Sequence, residues 1–349
     1  MKNAVLSVSC PEANRGDLNI GDYIQALAAD QFMESSFCIN REELDAYSGE
    51  DVKIVMNGWF MHRPSRFPPS RNIHPLFVSF HLAPAVADDF LTDKTLEYLR
   101  KHGPIGCRDE STVSLLESRG VPAYFTGCLT LTLGRKYGAA PGSLRKGVCF
   151  IDPFQPFKKK DFSRGRVWML FHPLLTFSIY RRMKVQMLAG RPLAYRLRRF
   201  FRIGAFIRAY GRLFPKRLLA SAEYFTHSLP ESGFSSEEEK FEYARKLLRR
   251  YSTARFCVTS RIHCALPCVG MGTNVLFVLP EKRDIGNGRF DGLTRFFKLV
   301  EARRDALVAR FRFDSPDGLV HEDVQLEPDR SFAPLADALA EKCRAFAAD

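Results

Sequence analysis

Short β-branched and aromatic runs alternate with helical stretches along most of this chain, and that alternation limits its fold more than any other feature. Residues 4–8, 52–56, 76–79, 104–107 and 121–125 read as strands, as do 147–151, 222–225, 256–258 and 275–279. Between them lie helical stretches: one beginning near Asp22, then 90–100, 111–118, 236–251 and one from about Ile262. Consecutive parallel strands need a crossover, usually a helix, so this order predicts parallel α/β architecture. With 349 residues, two such units fit, each with its own core. The expected division is an N-terminal domain at 1–140, a C-terminal domain at 141–325 and a final helix at 326–349. A Gly-, Pro- and Lys/Arg-rich stretch at 134–146 reads as the linker.

The charge is confined to one region. The chain carries +13 overall, yet the 17 Lys/Arg and single acid between Lys158 and Arg217 give that segment +16. The remainder is slightly acidic, so the basicity belongs to an insertion, taken as 157–219 in the second domain. Within it, 191–213 reads as one amphipathic helix with Leu193, Leu197, Phe200 and Ile207 on one face. Arg198, Arg199 and Arg202 lie opposite. Such a helix suits an anionic membrane surface. It also suits a solvated helix packed on its own domain, or nucleic-acid binding.

Nine cysteines are scattered without a Cys-x-x-Cys pair, which suggests reduced, buried thiols. Cys264 and Cys268 are one helical turn apart, but nothing nearby in sequence completes a metal site, so no metal is expected. The apolar run at 4–9 is short for a secretory leader, and a cytoplasmic location is expected.

Two turns carry the candidate chemistry. In Cys107-Arg108-Asp109-Glu110 and in Thr259-Ser260-Arg261-Ile262-His263, an arginine stands where a strand gives way to a helix. Ligands of open parallel sheets bind beyond the carboxyl ends of the strands. There an arginine can hold a carboxylate or phosphate bidentately, and a helix N-terminus favours an anion. Arg261 and His263 can share one ligand only if the helix starts between or just before them, and Ser260 is the expected cap.

The chain resembles the polysaccharide pyruvyl transferase family. The resemblance rests on Asn19-Ile20-Gly21-Asp22, Gly106-Cys107-Arg108-Asp109-Glu110-Ser111, Phe125-Thr126-Gly127-Cys128 and Thr259-Ser260-Arg261-Ile262-His263-Cys264-Ala265-Leu266. It covers about 1–135 and 220–300, not the basic insertion or the tail. It implies two Rossmann-like domains facing a cleft, as in GT-B glycosyltransferases. It also implies transfer of the pyruvyl unit of phosphoenolpyruvate (PEP) to two hydroxyls of one sugar, giving a cyclic ketal and phosphate, with no further cofactor.

Under that resemblance Arg108, Arg261 and Ser260 contact the donor and His263 is the general acid. The basic residue that the family carries about twenty positions past the histidine is Lys282 or Arg283. Asp22 is the candidate base, although a first-turn helix acid would look the same. Asn19, Asn57, His81, Asp109 and Thr126 are pocket candidates. The acceptor belongs to an exopolysaccharide or capsular polysaccharide, as finished polymer or lipid-linked oligosaccharide. A lipid-linked acceptor would give the basic insertion a reason to lie peripherally at the inner face of the membrane. Two alternatives stand beside this: a nucleotide-sugar glycosyltransferase, and a basic scaffold that binds membranes or nucleic acid without catalysis.

Overall fold

The structure is a computed structural model that describes residues 1–10, 12, 16–140, 142–157, 167–280, 288–303, 305–327 and 329–349. Six strands of the first half form one sheet: β1 (Lys2–Ser7), β3 (Phe37–Asn40), β4 (Val52–Phe60), β5 (Ile73–Leu82), β6 (Ile105–Cys107) and β7 (Ala123–Phe125). Their order is β3-β1-β4-β5-β6-β7, and every neighbouring pair is parallel. A second sheet is built from β8 (Val148–Ile151), β9 (Glu223–Phe225), β11 (Phe256–Thr259), β12 (Asn274–Leu279), β13 (Lys298–Arg303) and β14 (Ala306–Ala309). It is ordered β9-β8-β11-β12-β13-β14 and is parallel except at the β13–β14 edge. The short strands β2 (Asp17–Asn19) and β10 (Ser228–Pro230) pair antiparallel and tie the two halves together.

Both sheets follow the same succession. The second strand lies outside the first, and the rest follow on its other side. This is the Rossmann-like doubly wound pattern, and the order reverses between β1 and β4 and again between β8 and β11. A crevice opens at each reversal, beyond the carboxyl ends of the strands. The central strands are buried along their length, which explains their nearly unbroken apolar runs.

The helices are α1 (Ile20–Met33), α2 (Ala87–Phe90), α3 (Asp93–Lys101), α4 (Glu110–Glu117) and α5 (Gly134–Tyr137) in the first half. The insertion holds α6 (Trp168–Phe171), α7 (Pro173–Gln186), α8 (Leu193–Phe200), α9 (Ile203–Tyr210) and α10 (Lys216–Ser221). Then come α11 (Glu237–Thr253), α12 (Ile262–Gly270) and α13 (Ala333–Ala348). Helix α1 starts at Ile20, two residues earlier than expected, because the Asn19 side chain accepts from Gly21 N and caps it. Ile20, Ile24, Ala26, Leu27 and Ala29 are buried and lie around most of its circumference. A helix apolar all round belongs inside a core. Each such Ile or Leu contributes about 1.5–3 kcal/mol on burial.

That core belongs to both halves. Val5 and Val55 of the first sheet share it with Cys149, Val275 and Phe277 of the second, and residues of α1, α11, α12 and α13 lie in the same cluster. The tail does not stand apart as a separate unit. Helix α13 packs on α1 and β5, and Lys53 Nζ donates to the carbonyl of Phe346 at 2.9 Å.

Several expectations need correction. Strands β4 and β5 run well beyond 52–56 and 76–79, so Asn57-Gly58-Trp59-Phe60 is strand rather than loop. The linker at 134–146 opens with the helical turn α5. The amphipathic helix expected at 191–213 is two helices, α8 and α9, parted at Phe201 and Arg202. Ile207 is buried in the second-domain core while Leu193 and Leu197 are exposed, so they do not share one face. Among the described residues no helix is long and apolar enough to cross a membrane.

Candidate active site

Two carboxyl-end turns meet. Arg108 follows β6, and Arg261 and His263 follow β11. Arg108 Nη1 stands 3.4 Å from His263 Nε2, although 155 residues separate them in the chain. Arg108 is buried at 1 % exposure, and its Nη2 finds no hydrogen-bond partner among the described residues. Helix α12 begins at Ile262 with Arg261 as its cap residue. The helix therefore starts between Arg261 and His263, as one shared ligand requires. The cap is not Ser260: its hydroxyl bonds Gln155 Oε1 at 3.1 Å, while Arg261 N donates to Thr259 Oγ1.

The N-terminus of α1 closes on the same place. A Cβ at Gly21 would stand 3.1 Å from His263 Cβ and 3.3 Å from His227 Nδ1, so a larger residue here would push on both rings. Asn19 and Asp22 flank it, and Asn19 Nδ2 and Gln25 Nε2 both donate to the Asp22 carboxylate. Burial raises the Asp22 carboxyl pKa, against the opposing pull of Arg41 and His62. The Arg41 guanidinium is 4.0 Å away.

Each arginine leans on a buried carboxylate. Asp109 caps α4 through Thr112 N at 3.0 Å and lies 3.4 Å from Arg108 Nε. His81 Nδ1 donates to the same carboxylate at 2.6 Å. Burial alone would raise the Asp109 pKa, but His81 and Arg108 outweigh it and hold it below the usual range. An unpaired carboxylate this deep would cost many kcal/mol, and these partners offset that cost.

On the other side Asp152, at the end of β8, accepts from Arg261 Nε at 2.7 Å, Thr226 Oγ1 at 2.6 Å and His227 N at 3.0 Å. Its backbone is left-handed, at φ 50°, a conformation aspartate tolerates better than most residues. Burial would raise its pKa too, but Arg261 and His227 hold it low.

Three histidines are neutral here. Burial and then Arg108 push the His263 pKa well below its ordinary value, with Arg289 adding to the effect. Burial takes His81 down to about 4 and His227 to about 3. His227 Nε2 lies 3.0 Å from the Tyr251 hydroxyl.

Arg289 was missed in the sequence. Lys282 and Arg283, the expected basic residues, lie outside the described residues. Gly288, at φ +62°, sits against the start of α4, where a Cβ would come within 2.2 Å of Ser111 Oγ. Asp291 O accepts from Glu110 N in the same contact. This docking sets Arg289 among the site charges. Its pKa falls to about 10, first through burial, then through repulsion from Arg108 and Arg261. Its side chain keeps solvent contact, so it sits at the mouth of the site while protein atoms crowd around it.

Two pocket candidates, Asn57 and Thr126, also brace the scaffold. Asn57 Nδ2 donates to Gln25 O at 2.9 Å and fixes α1 on β4. Thr126 Oγ1 donates to Cys107 O and accepts from Ser79 N, bracing β5, β6 and β7. The sulfurs of Cys257, Cys264 and Cys268 lie within 4.8 Å of one another and are fully buried. Cys257 arrives from β11, an approach that chain spacing did not reveal. Three sulfurs therefore converge here, not the two that the sequence spacing offered.

Arg108 and Arg261 both repel Arg289, so a multiply charged small anion would relieve the site. A family model described as polysaccharide pyruvyl transferase matches residues 19–281, well over half of the chain and including both arginine turns. No curated protein and no solved structure shows significant similarity to it.

Proposed function

Since the chain belongs to the polysaccharide pyruvyl transferase family, we propose that it moves the pyruvyl unit of PEP onto two hydroxyls of one sugar. The product is a cyclic ketal, and phosphate is released. The acceptor belongs to an exopolysaccharide or capsular polysaccharide, or to its lipid-linked precursor. The donor sits between the two Rossmann-like halves, arranged in the GT-B-like manner.

One observation carries this: Arg108, with an unused guanidinium nitrogen, stands 3.4 Å from a buried neutral His263. Arg108, Arg261 and Arg289 hold the donor's phosphate and carboxylate. Beside that charge His263 gains a proton, because a nearby anion stabilises the imidazolium. His263 then protonates C3 of the enol double bond, which becomes the methyl group. C2 turns electrophilic, and one sugar hydroxyl adds to it. Asp22, whose raised pKa brings it nearer the working pH, takes that hydroxyl's proton. The C2–O bond to phosphate breaks, and the second hydroxyl closes the ring. Of the two hydroxyl protons, one replaces the proton His263 spent and the other leaves on phosphate.

The test is phosphate release from PEP with a panel of oligosaccharides bearing neighbouring free hydroxyls. His263→Ala should fold and bind the acceptor, yet release phosphate roughly 10²–10⁴-fold more slowly. Near-wild-type turnover in that variant would remove the general-acid role. Release that ignores the acceptor would remove ketal transfer.

A further inference from the structure

We propose that the outer face of the insertion, made by α6, α7 and α8, docks on an anionic lipid bilayer. Ten of the thirteen large apolar side chains exposed on the described surface fall between Val167 and Phe201. Leu170 is 80 % exposed and Leu174 86 % exposed. Scattered apolar residues are ordinary on a protein surface, but a cluster of this kind marks a binding face.

The exposed face of α7 runs through Leu174, Phe177, Arg181 and Lys184, at helical spacing, apolar first and cationic after. On α8 the exposed stripe is Leu193 and Leu197, with Arg198 beside it. Tyr180 of α7 and Phe200 of α8 pack edge to face at 5.1 Å, which joins the two helices.

The arginines of the insertion divide by task. Arg208 and Arg212 pair with Asp305, and Arg191 pairs with Asp17, so these fasten the insertion to the body. Arg181, Lys184 and Arg198 make no ion pair among the described residues and face solvent. Apolar side chains flanked by free cations match a surface of acyl chains under anionic headgroups.

Two other occupants fit less well. A second copy would set a +16 segment against its own equivalent, and like charges oppose that pairing. Single-stranded nucleic acid could stack on the exposed Trp168, Phe171 and Phe177, but the most exposed side chains of the face are Leu174 and Leu170, which bury in acyl chains and give bases nothing to stack on.

The test is flotation of the full chain with vesicles of phosphatidylcholine alone, or mixed with phosphatidylglycerol. The chain should partition onto the mixed vesicles at least roughly tenfold better, and lose most of that binding in high salt. Leu170→Ser/Leu174→Ser/Phe177→Ser and Arg181→Glu/Lys184→Glu should each cut binding about tenfold or more with unchanged melting temperature. All of these positions are exposed and none belongs to the candidate site, so binding is read without reference to the reaction. The proposal is overturned if the wild-type chain stays with the lipid-free fraction. It is overturned equally if the serine variant binds as well as wild type, if that face instead makes a dimer that the serine changes dissolve, or if single-stranded nucleic acid competes vesicles away.

Discussion

Arg108 can only donate, so the 3.4 Å contact makes His263 Nε2 the acceptor and places the ring proton on Nδ1. The nitrogen nearest the guanidinium is therefore unprotonated while the site holds no donor. A general acid working through Nε2 needs Arg108 to turn toward the substrate first. If PEP binds as proposed, its binding and the proton loading of His263 are one event.

That coupling is measurable. PEP binding should take up protons at neutral pH, because it raises the depressed pKa of His263. Calorimetry in buffers of different ionisation enthalpy should show the uptake, and His263→Ala should abolish most of it. A binding enthalpy that does not depend on the buffer would contradict the coupling.

Arg289 should matter as much as the arginines recognised from sequence. Removing a charge-assisted contact to an anion costs about 1.5–3 kcal/mol, so Arg289→Ala should weaken PEP binding roughly 10- to 150-fold. Gly288→Ala should produce part of that loss by pushing the segment off Ser111. An Arg289→Ala affinity within twofold of wild type would place the residue outside the donor site.

Asp152→Asn tests the brace on Arg261. Asparagine tolerates the left-handed backbone, and with its oxygen in the Oδ2 place it still accepts from His227 N and Arg261 Nε, while its Nδ2 faces the Thr226 hydroxyl, which must turn to accept. Loss of the charge beneath a partly exposed arginine should cost about 2 kcal/mol of stability. The KM for PEP should rise more than kcat falls. A change in kcat alone would assign Asp152 to a step after binding.

Acid should destabilise the fold early. His81 and His227 titrate near 4 and 3 when folded but at their ordinary value when unfolded. Between those limits the unfolded chain binds more protons, so lowering the pH favours unfolding. Their stabilising contribution is complete above about pH 6.5 and is lost progressively toward pH 4 and below. Thermal melts across that range should fall steadily, and His227→Gln should flatten the slope. A constant melting temperature from pH 7 to 4.5 would mean these rings are already charged in the folded protein.

Local features were legible in the sequence. The apolar runs of β8, β11 and β12 announce buried parallel strands. Each strand–arginine–helix turn is written within five residues, and the Ser236 cap of α11 stands just ahead of its acid-rich first turn. Features decided by distant packing were not legible. Arg289 joins the site only because Gly288 nests on Ser111, far away in the chain. Phe201 and Arg202 break the basic helix because α9 must turn Phe206 and Tyr210 into the core beside Phe150. The bonds by which Asn57 and Thr126 brace the scaffold were not visible in their motifs either. Strand β13 (Lys-Leu-Val-Glu-Ala-Arg) and the edge strand β14 (Ala-Leu-Val-Ala) are too short and too weakly patterned to stand out from loop.

The return of α13 to the first sheet has a consequence for how such an enzyme can diversify. A recombination point between the halves would strand this helix on the wrong partner, leaving Cys343 and Leu339 without the groove they fill. Trading one half for another specificity would thus require two crossovers, one near the middle and one ahead of Ala333. Such a chain is inherited as a single unit more readily than it is shuffled.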